Sequence, residues 1–171
     1  VKPLNQVIKV DYYIPGCPPP SDLIGSVLTA LLEGKEPQLP TNTVCDECPL
    51  QKERKAIPEI RRWCVDGRPE PDKCILEQGF ICLGPVTRAG CGAKCPSIGV
   101  PCRGCMGPTD RVIDQGAKMI SALGSIWMLD EELEIPPEEY DKLAEQLYDP
   151  VGMLYRFTLP SSLIPRKIMK K

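Results

Sequence analysis

The chain has 171 residues, a formal charge of −2 and no histidine. This balance offers no basic footprint for nucleic acid, and two Trp, five Tyr and two Phe are too few for a base-stacking platform. The longest apolar stretch, Met119 to Leu129, falls far short of a bilayer span, and no signal peptide is visible, so no membrane segment is expected.

Hydrophobic content of 42% permits a core, while 20 Pro and 14 Gly predict a backbone rich in turns and loops. The first residue is Val1 rather than Met, so earlier sequence is expected to have been lost or left unrecorded. Ile8, Val10, Tyr12 and Ile14 alternate with Lys9, Asp11 and Tyr13, the pattern of a strand. The stretch PGCPPP then breaks regular structure. Ser21 is the expected cap of a helix with Leu23, Ile24, Val27, Leu28 and Leu31 on one face and Gly34 as its stop. Cys17 thereby falls just past the carboxyl end of a strand, where open α/β sheets place ligands.

From about Lys35 to Pro108 the hydrophobic periodicity is weak, and only a short helix over 57–63 is expected. A second helix should run from a cap at Asp110 to about Trp127, with Val112, Ile113, Ala117, Ile120 and Leu123 on one side. The acidic run Asp130, Glu131, Glu132, Glu134 reads as a solvated loop. Pro137 opens a helix carrying Tyr140, Leu143, Ala144 and Leu147, and Pro150 ends it. The remainder, with Tyr155, Phe157, Leu159 and Ile164, reads as extended and apolar, closing on Arg166, Lys167, Lys170 and Lys171. It suits either a strap on a partner subunit or a terminal packing segment.

Ten cysteines can mean disulfides, zinc or iron–sulfur clusters. Nine lie between Cys45 and Cys105, several in tight pairs, whereas a disulfide scaffold spreads its cysteines to staple loops. Cys91, Cys95, Cys102 and Cys105 gather four thiolates in one short Gly- and Pro-rich loop, as a cubane or a tetrahedral zinc requires. Glycines such as Gly104 let backbone N–H groups approach sulfur, which stabilises a reduced cluster. A four-thiolate zinc ribbon usually shows two C-x-x-C pairs, and this loop has one, so the spacing favours a cluster while leaving zinc open. A second site begins with the pair Cys45 and Cys48. Ligand counting cannot choose which two of Cys64, Cys74 and Cys82 complete it. The one left over would be a small buried hydrophobe. Cys17 is either an ordinary loop cysteine or one ligand of a third cluster whose other three ligands precede Val1. No Ser/His/Asp or Cys/His arrangement, phosphate loop or dinucleotide fingerprint is present, so no bond-making machinery is expected.

Taken together, PGCPPP, CDECPL, CILEQGFICLGP and the block ending PCRGC resemble the small subunit of [NiFe] hydrogenases. The nearest group is the cytoplasmic one of methanogens and related archaea, the methyl-viologen-reducing (deazaflavin-non-reducing) small subunit and the sulfhydrogenase delta subunit. The resemblance runs from Val7 to about Pro165. It implies an α/β remnant over residues 1–35, the C-terminal end of a flavodoxin-like domain. A largely irregular, partly α-helical domain scaffolded by two [4Fe-4S] clusters follows over 36–171.

Carried over by position, Cys17 matches the last ligand of a proximal [4Fe-4S] cluster shared with missing N-terminal residues. Cys45, Cys48, Cys74 and Cys82 match the distal cluster, and Cys91, Cys102 and Cys105 the medial one. Cys64 matches no ligand position. Periplasmic relatives use histidine where this chain has Cys45, and their medial cluster has three irons. Here Cys95 supplies a fourth thiolate, so a medial [4Fe-4S] cluster of lower potential is expected, because an added anionic ligand favours the oxidised form. The resemblance implies a large partner subunit that splits hydrogen at nickel–iron, so no catalytic residue is expected in this chain. It also implies an acceptor subunit, expected to be a [2Fe-2S] adaptor linked to heterodisulfide reductase. Cytoplasmic residence is expected from thiols kept as ligands. The rivals are a complex-I-like quinone reductase subunit, a zinc-stabilised interaction module and a free-standing ferredoxin. The first shares the GCPP loop but not the cysteines from Cys45 to Cys105, and apolar surface on the opening βα unit speaks against the last.

Overall fold

The computed structural model describes residues 2–53, 57, 59–127 and 137–164. Among the described residues five α-helices carry the regular structure: α1 (Ser21–Leu32), α2 (Val44–Glu47), α3 (Gln115–Trp127), α4 (Pro137–Glu145) and α5 (Pro150–Leu154). Single 3-10 turns lie at Leu4–Gln6, Gly84–Val86, Pro96–Ile98 and Leu159–Ser161. Among the described residues there is no β-strand, only isolated bridges pairing Thr43 with Arg88, Gln51 with Lys73, and Arg61 with Phe80. No helix among them is long and apolar enough to cross a membrane.

The expected strand over Ile8–Ile14 is therefore not formed. A strand needs a neighbour to accept its N–H groups, and none of the described segments pairs with it. Ile8, Tyr12 and Tyr13 are more than half exposed. The following helix does form, but Pro20 occupies the cap position and Ser21 is the first helical residue. Gly34 follows its C-cap at φ 70°, the left-handed geometry that glycine adopts without penalty. Only Leu23 and Val27 of the expected face are buried, and Leu28 is exposed. They pack on Met106, with Ile14, Leu31, Leu39, Cys91 and Cys105 at the margin.

The main core gathers Val44, Ile57, Ile60, Ile75, Phe80, Leu83, Val86, Met119, Leu123 and Leu154. Phe80, fully buried, carries the Arg61 guanidinium over its ring at 4.8 Å. The short helix expected over 57–63 is absent from its described residues. Arg61 instead donates its N–H to Gly79 O at 2.9 Å, and a proline at position 58 removes a helical donor.

The helix expected from Asp110 starts at Gln115. Asp110 pairs with the buried Arg88, and Asp114 takes the capping role by accepting the Ala117 N–H at 2.9 Å. The buried face is Gln115, Gly116, Met119 and Leu123, while Ile113 and Ile120 face outward. The face that packs is the one that meets Leu154 and Tyr155 at the end of α5, with Met119 and Leu123 in the same core. Pro150 opens α5 instead of merely ending α4, and Asp149 caps it by accepting the Gly152 N–H at 2.8 Å. Residues 150–164 are thus helical and turn-like, not extended. Their return is tied down where the Leu163 N–H donates to Asp114 Oδ2 at 2.6 Å. The acidic run at 130–134 and the basic end from Arg166 to Lys171 lie outside the described residues.

Candidate metal centres

Helix α2 exists to present one cysteine pair. Thr43 and Asp46 form a reciprocal capping box at its start, with the Thr43 N–H donating to Asp46 Oδ2 at 2.7 Å. This holds a helix of only four residues, too short to stand on propensity. Cys45 lies within it and Cys48 at its end. The Gln51–Lys73 bridge then brings in Cys74, whose N–H donates to Gln51 O at 2.7 Å.

Cys45, Cys48, Cys74 and Cys82 line a single pocket with Val44, Leu50, Ile75 and Leu76. The cavity they border has a volume of about 30 Å3. Gly84 forms part of the wall, and a Cβ there would stand 3.0 Å from Cys45 Sγ and 3.7 Å from Cys82 Sγ. Among the described residues no three Cys, Asp or Glu side chains converge as ligands of one ion would. The four sulfurs border a volume rather than a point. Four thiols around an apolar hollow that only glycine leaves open are a donor set that fits an iron–sulfur cluster.

Electrostatics agree with that chemistry. Burial pushes the thiols of Cys45 and Cys82 up to about 12, and that of Cys74 upward. A thiolate in such surroundings needs a cation. Donors are already aimed at the sulfurs: backbone N–H groups of Gly84 and Cys102 toward Cys82, and of Leu76 and Glu77 toward Cys74. Cys64, which counting left as a candidate, does not line the pocket. It is exposed, at φ 68° in a tight turn closed by its N–H donating to Gly67 O.

The second group is Cys91, Cys95, Cys102 and Cys105. Cys102 is buried, Cys91 and Cys105 are half-buried and Cys95 is exposed. Cys105 lies within electrostatic reach of Cys91, Cys95 and Cys102. Burial pushes Cys102 up to about 12, with the Gly104 N–H and the Thr87 hydroxyl nearby and opposing the rise. Thr87 is in turn fixed by buried Gln115, whose Nε2 donates to Thr87 Oγ1 at 3.0 Å and to Gly104 O at 3.3 Å. This donor set also fits a cluster. Cys17 is exposed, and its backbone lies near the Cys105 thiol, beside this second group.

Three contributors carry no clear mark in the sequence. Glu47, inside the first cysteine pair, accepts the N–H groups of Gly90 at 2.8 Å and Gly92 at 2.9 Å, clamping the two cysteine loops together. Lys52 lines the first pocket and donates to Cys45 O at 3.1 Å. Arg103 lies beside Cys82 and Cys102, where burial and the charge of Arg156 hold its pKa below the ordinary guanidinium value. The carboxylate embedded in CDEC was the available signal for Glu47.

No protein-family model matches the chain. One component of the F420-non-reducing hydrogenase of Methanothermobacter marburgensis, the subunit designated G, is 53% identical over 173 residues, covering 100% of this chain and 55% of that protein. A protein of the same name in Methanothermus fervidus is 48% identical over 127 residues, 73% of this chain and 98% of that protein. The iron–sulfur subunit, likewise designated G, of the F420-non-reducing hydrogenase of Archaeoglobus profundus is 38% identical over 180 residues, 99% of this chain and 54% of that protein. The chain thus spans about half the length of the first and third of these relatives.

Proposed function

The chain belongs to this family of F420-non-reducing hydrogenase subunits, and on that footing we propose that it is the electron-transferring small subunit of a [NiFe] hydrogenase. In this reading Cys45, Cys48, Cys74 and Cys82 hold a distal [4Fe-4S] cluster. Cys91, Cys95, Cys102 and Cys105 hold a medial one, and Cys17 supplies one ligand of a proximal cluster completed by residues of a flavodoxin-like domain. A large partner subunit splits hydrogen, and a [2Fe-2S] adaptor linked to heterodisulfide reductase takes the electrons, in the cytoplasm. The iron–sulfur name of the Archaeoglobus relative supports the cofactor class.

The observation that carries the proposal is the contact between the two four-cysteine groups. The N–H of Cys102 donates to Cys82 Sγ at 3.2 Å, and the backbone of Cys17 lies near the Cys105 thiol. The two groups therefore touch through one ligand residue of each. A [4Fe-4S] cluster supplies one-electron redox chemistry at each position. The chain's own residues do the rest. Val44, Ile75 and Leu76 give the first pocket an apolar lining, the N–H groups at Cys74, Cys82 and Cys102 stabilise anionic sulfur, and Glu47 ties the two loops together.

The test is anaerobic purification of the intact complex, followed by iron and sulfide analysis and visible spectroscopy under hydrogen. Equal iron and sulfide, with absorbance that bleaches under hydrogen, is the expected result. A colourless protein containing zinc would replace this reading with that of a structural interaction module.

A further inference from the structure

Arg103 stands where the two cysteine groups meet. It follows Cys102 in the chain, and Cys102 is the residue whose N–H reaches Cys82. Its guanidinium lies over the ring of Trp63 at 5.9 Å. Trp63 is itself held in place, its Nε1–H donating to Gly99 O at 3.2 Å. The indole thus offers the guanidinium a ring face within the outer range of cation–π contact. That charge is felt by the sulfurs of Cys82, Cys102 and Cys64.

Among the described residues no carboxylate forms an ion pair with Arg103. Arg156, of like sign, is also within electrostatic reach, its Nε donating to Gly152 O at 3.2 Å. A half-buried guanidinium facing another arginine is unfavourable unless an anion lies opposite. A cluster ligated by four thiolates is such an anion, and it gains negative charge when reduced.

We propose that Arg103 is the counter-charge of the metal centres at Cys82 and Cys102, held on Trp63 so that it favours their reduced states. The inference rests on the reading of these cysteines as cluster ligands. A fixed positive charge stabilises the form carrying the extra electron, so both centres are easier to reduce than their thiolate ligands alone would allow. Lysine preserves the charge but not the planar stack on the indole.

The test uses the intact complex, purified anaerobically, with R103Q, R103K and W63L compared with the natural protein by redox titration monitored through paramagnetic resonance. R103Q should keep its iron, sulfide and signal shape while its midpoint potentials move to more negative values. R103K should lie between R103Q and the natural protein. W63L, which frees the guanidinium without removing it, should shift in the same direction as R103Q and decides the matter should R103Q fail to assemble. Potentials that stay unchanged or move positive at full iron content overturn the inference and leave the cluster reading standing. Natural protein lacking iron and sulfide overturns both.

Discussion

The backbone N–H of Cys102 donates to the Sγ of Cys82 at 3.2 Å, and the N–H of Leu83 donates back to Cys102 O at 2.9 Å. Two peptide hydrogen bonds thus join two cysteine loops that are otherwise irregular. The sulfur of one group is thereby held at hydrogen-bond distance from the backbone of the other, while the ligands of each group come from separate loops. Selective damage to one group is therefore informative about which residues hold which centre.

Gly84→Ala should empty the first pocket. The added Cβ would sit 3.0 Å from Cys45 Sγ, tighter than side chains tolerate without a shift of that sulfur. Iron content should fall by the share belonging to Cys45, Cys48, Cys74 and Cys82, while signals from the second group persist in paramagnetic resonance. Full iron content in this variant would show that the pocket is not the binding site.

Cys95→Ser should convert or destroy the centre at Cys91, Cys102 and Cys105 and leave the first group intact. Cys95 is exposed, so the change removes a ligand without opening a hole in the core. Unchanged resonance spectra and iron content would remove Cys95 from the ligand set.

Gly116→Ala should loosen the packing of α3 on α5. A Cβ at Gly116 would fall 2.3 Å from the Tyr155 ring, which is itself buried. Overfilling of this kind typically costs ~1–3 kcal/mol. Urea unfolding of the two proteins side by side measures it, and equal midpoints would contradict the described contact.

Asp110→Asn should flatten the acid limb of stability. The Arg88 hydrogen bond, and then its charge, hold the Asp110 carboxyl below the ordinary 3.8. A carboxyl whose pKa is lower folded than unfolded stabilises the native state above 3.8 and loses that contribution as pH falls through its folded value. The natural protein should therefore lose more stability than D110N between neutral pH and the region below 3.8. Parallel stability–pH curves would argue against the pairing. The effect should be modest, because Asp110 is largely exposed although Arg88 is buried.

Helix existence was legible in the sequence more often than helix detail. α1 and α4 start at or beside the residues expected, because Pro20 and Pro137 act locally. α3 did not follow expectation, because Asp110 and Asp114 are both able to cap and only the buried Arg88 claims the first of them. Its burial stripe could not be read from hydrophobicity, since Gln115 and Gly116 face inward to meet Thr87 and Tyr155. The strand pattern at Ile8–Ile14 describes a preference that no described neighbour satisfies.

Spacing alone determined that Cys45 pairs with Cys48 and that Cys91, Cys95, Cys102 and Cys105 form one group, because a short tether keeps such thiols near each other in any fold. Tertiary structure decided that Cys74 and Cys82, not Cys64, border the first pocket, since those residues are brought there by bridges across long loops. It also decided that the N–H of Cys102 meets the sulfur of Cys82. Contacts between separate loops depend on which surfaces the core presses together, and no local pattern of residues encodes that choice.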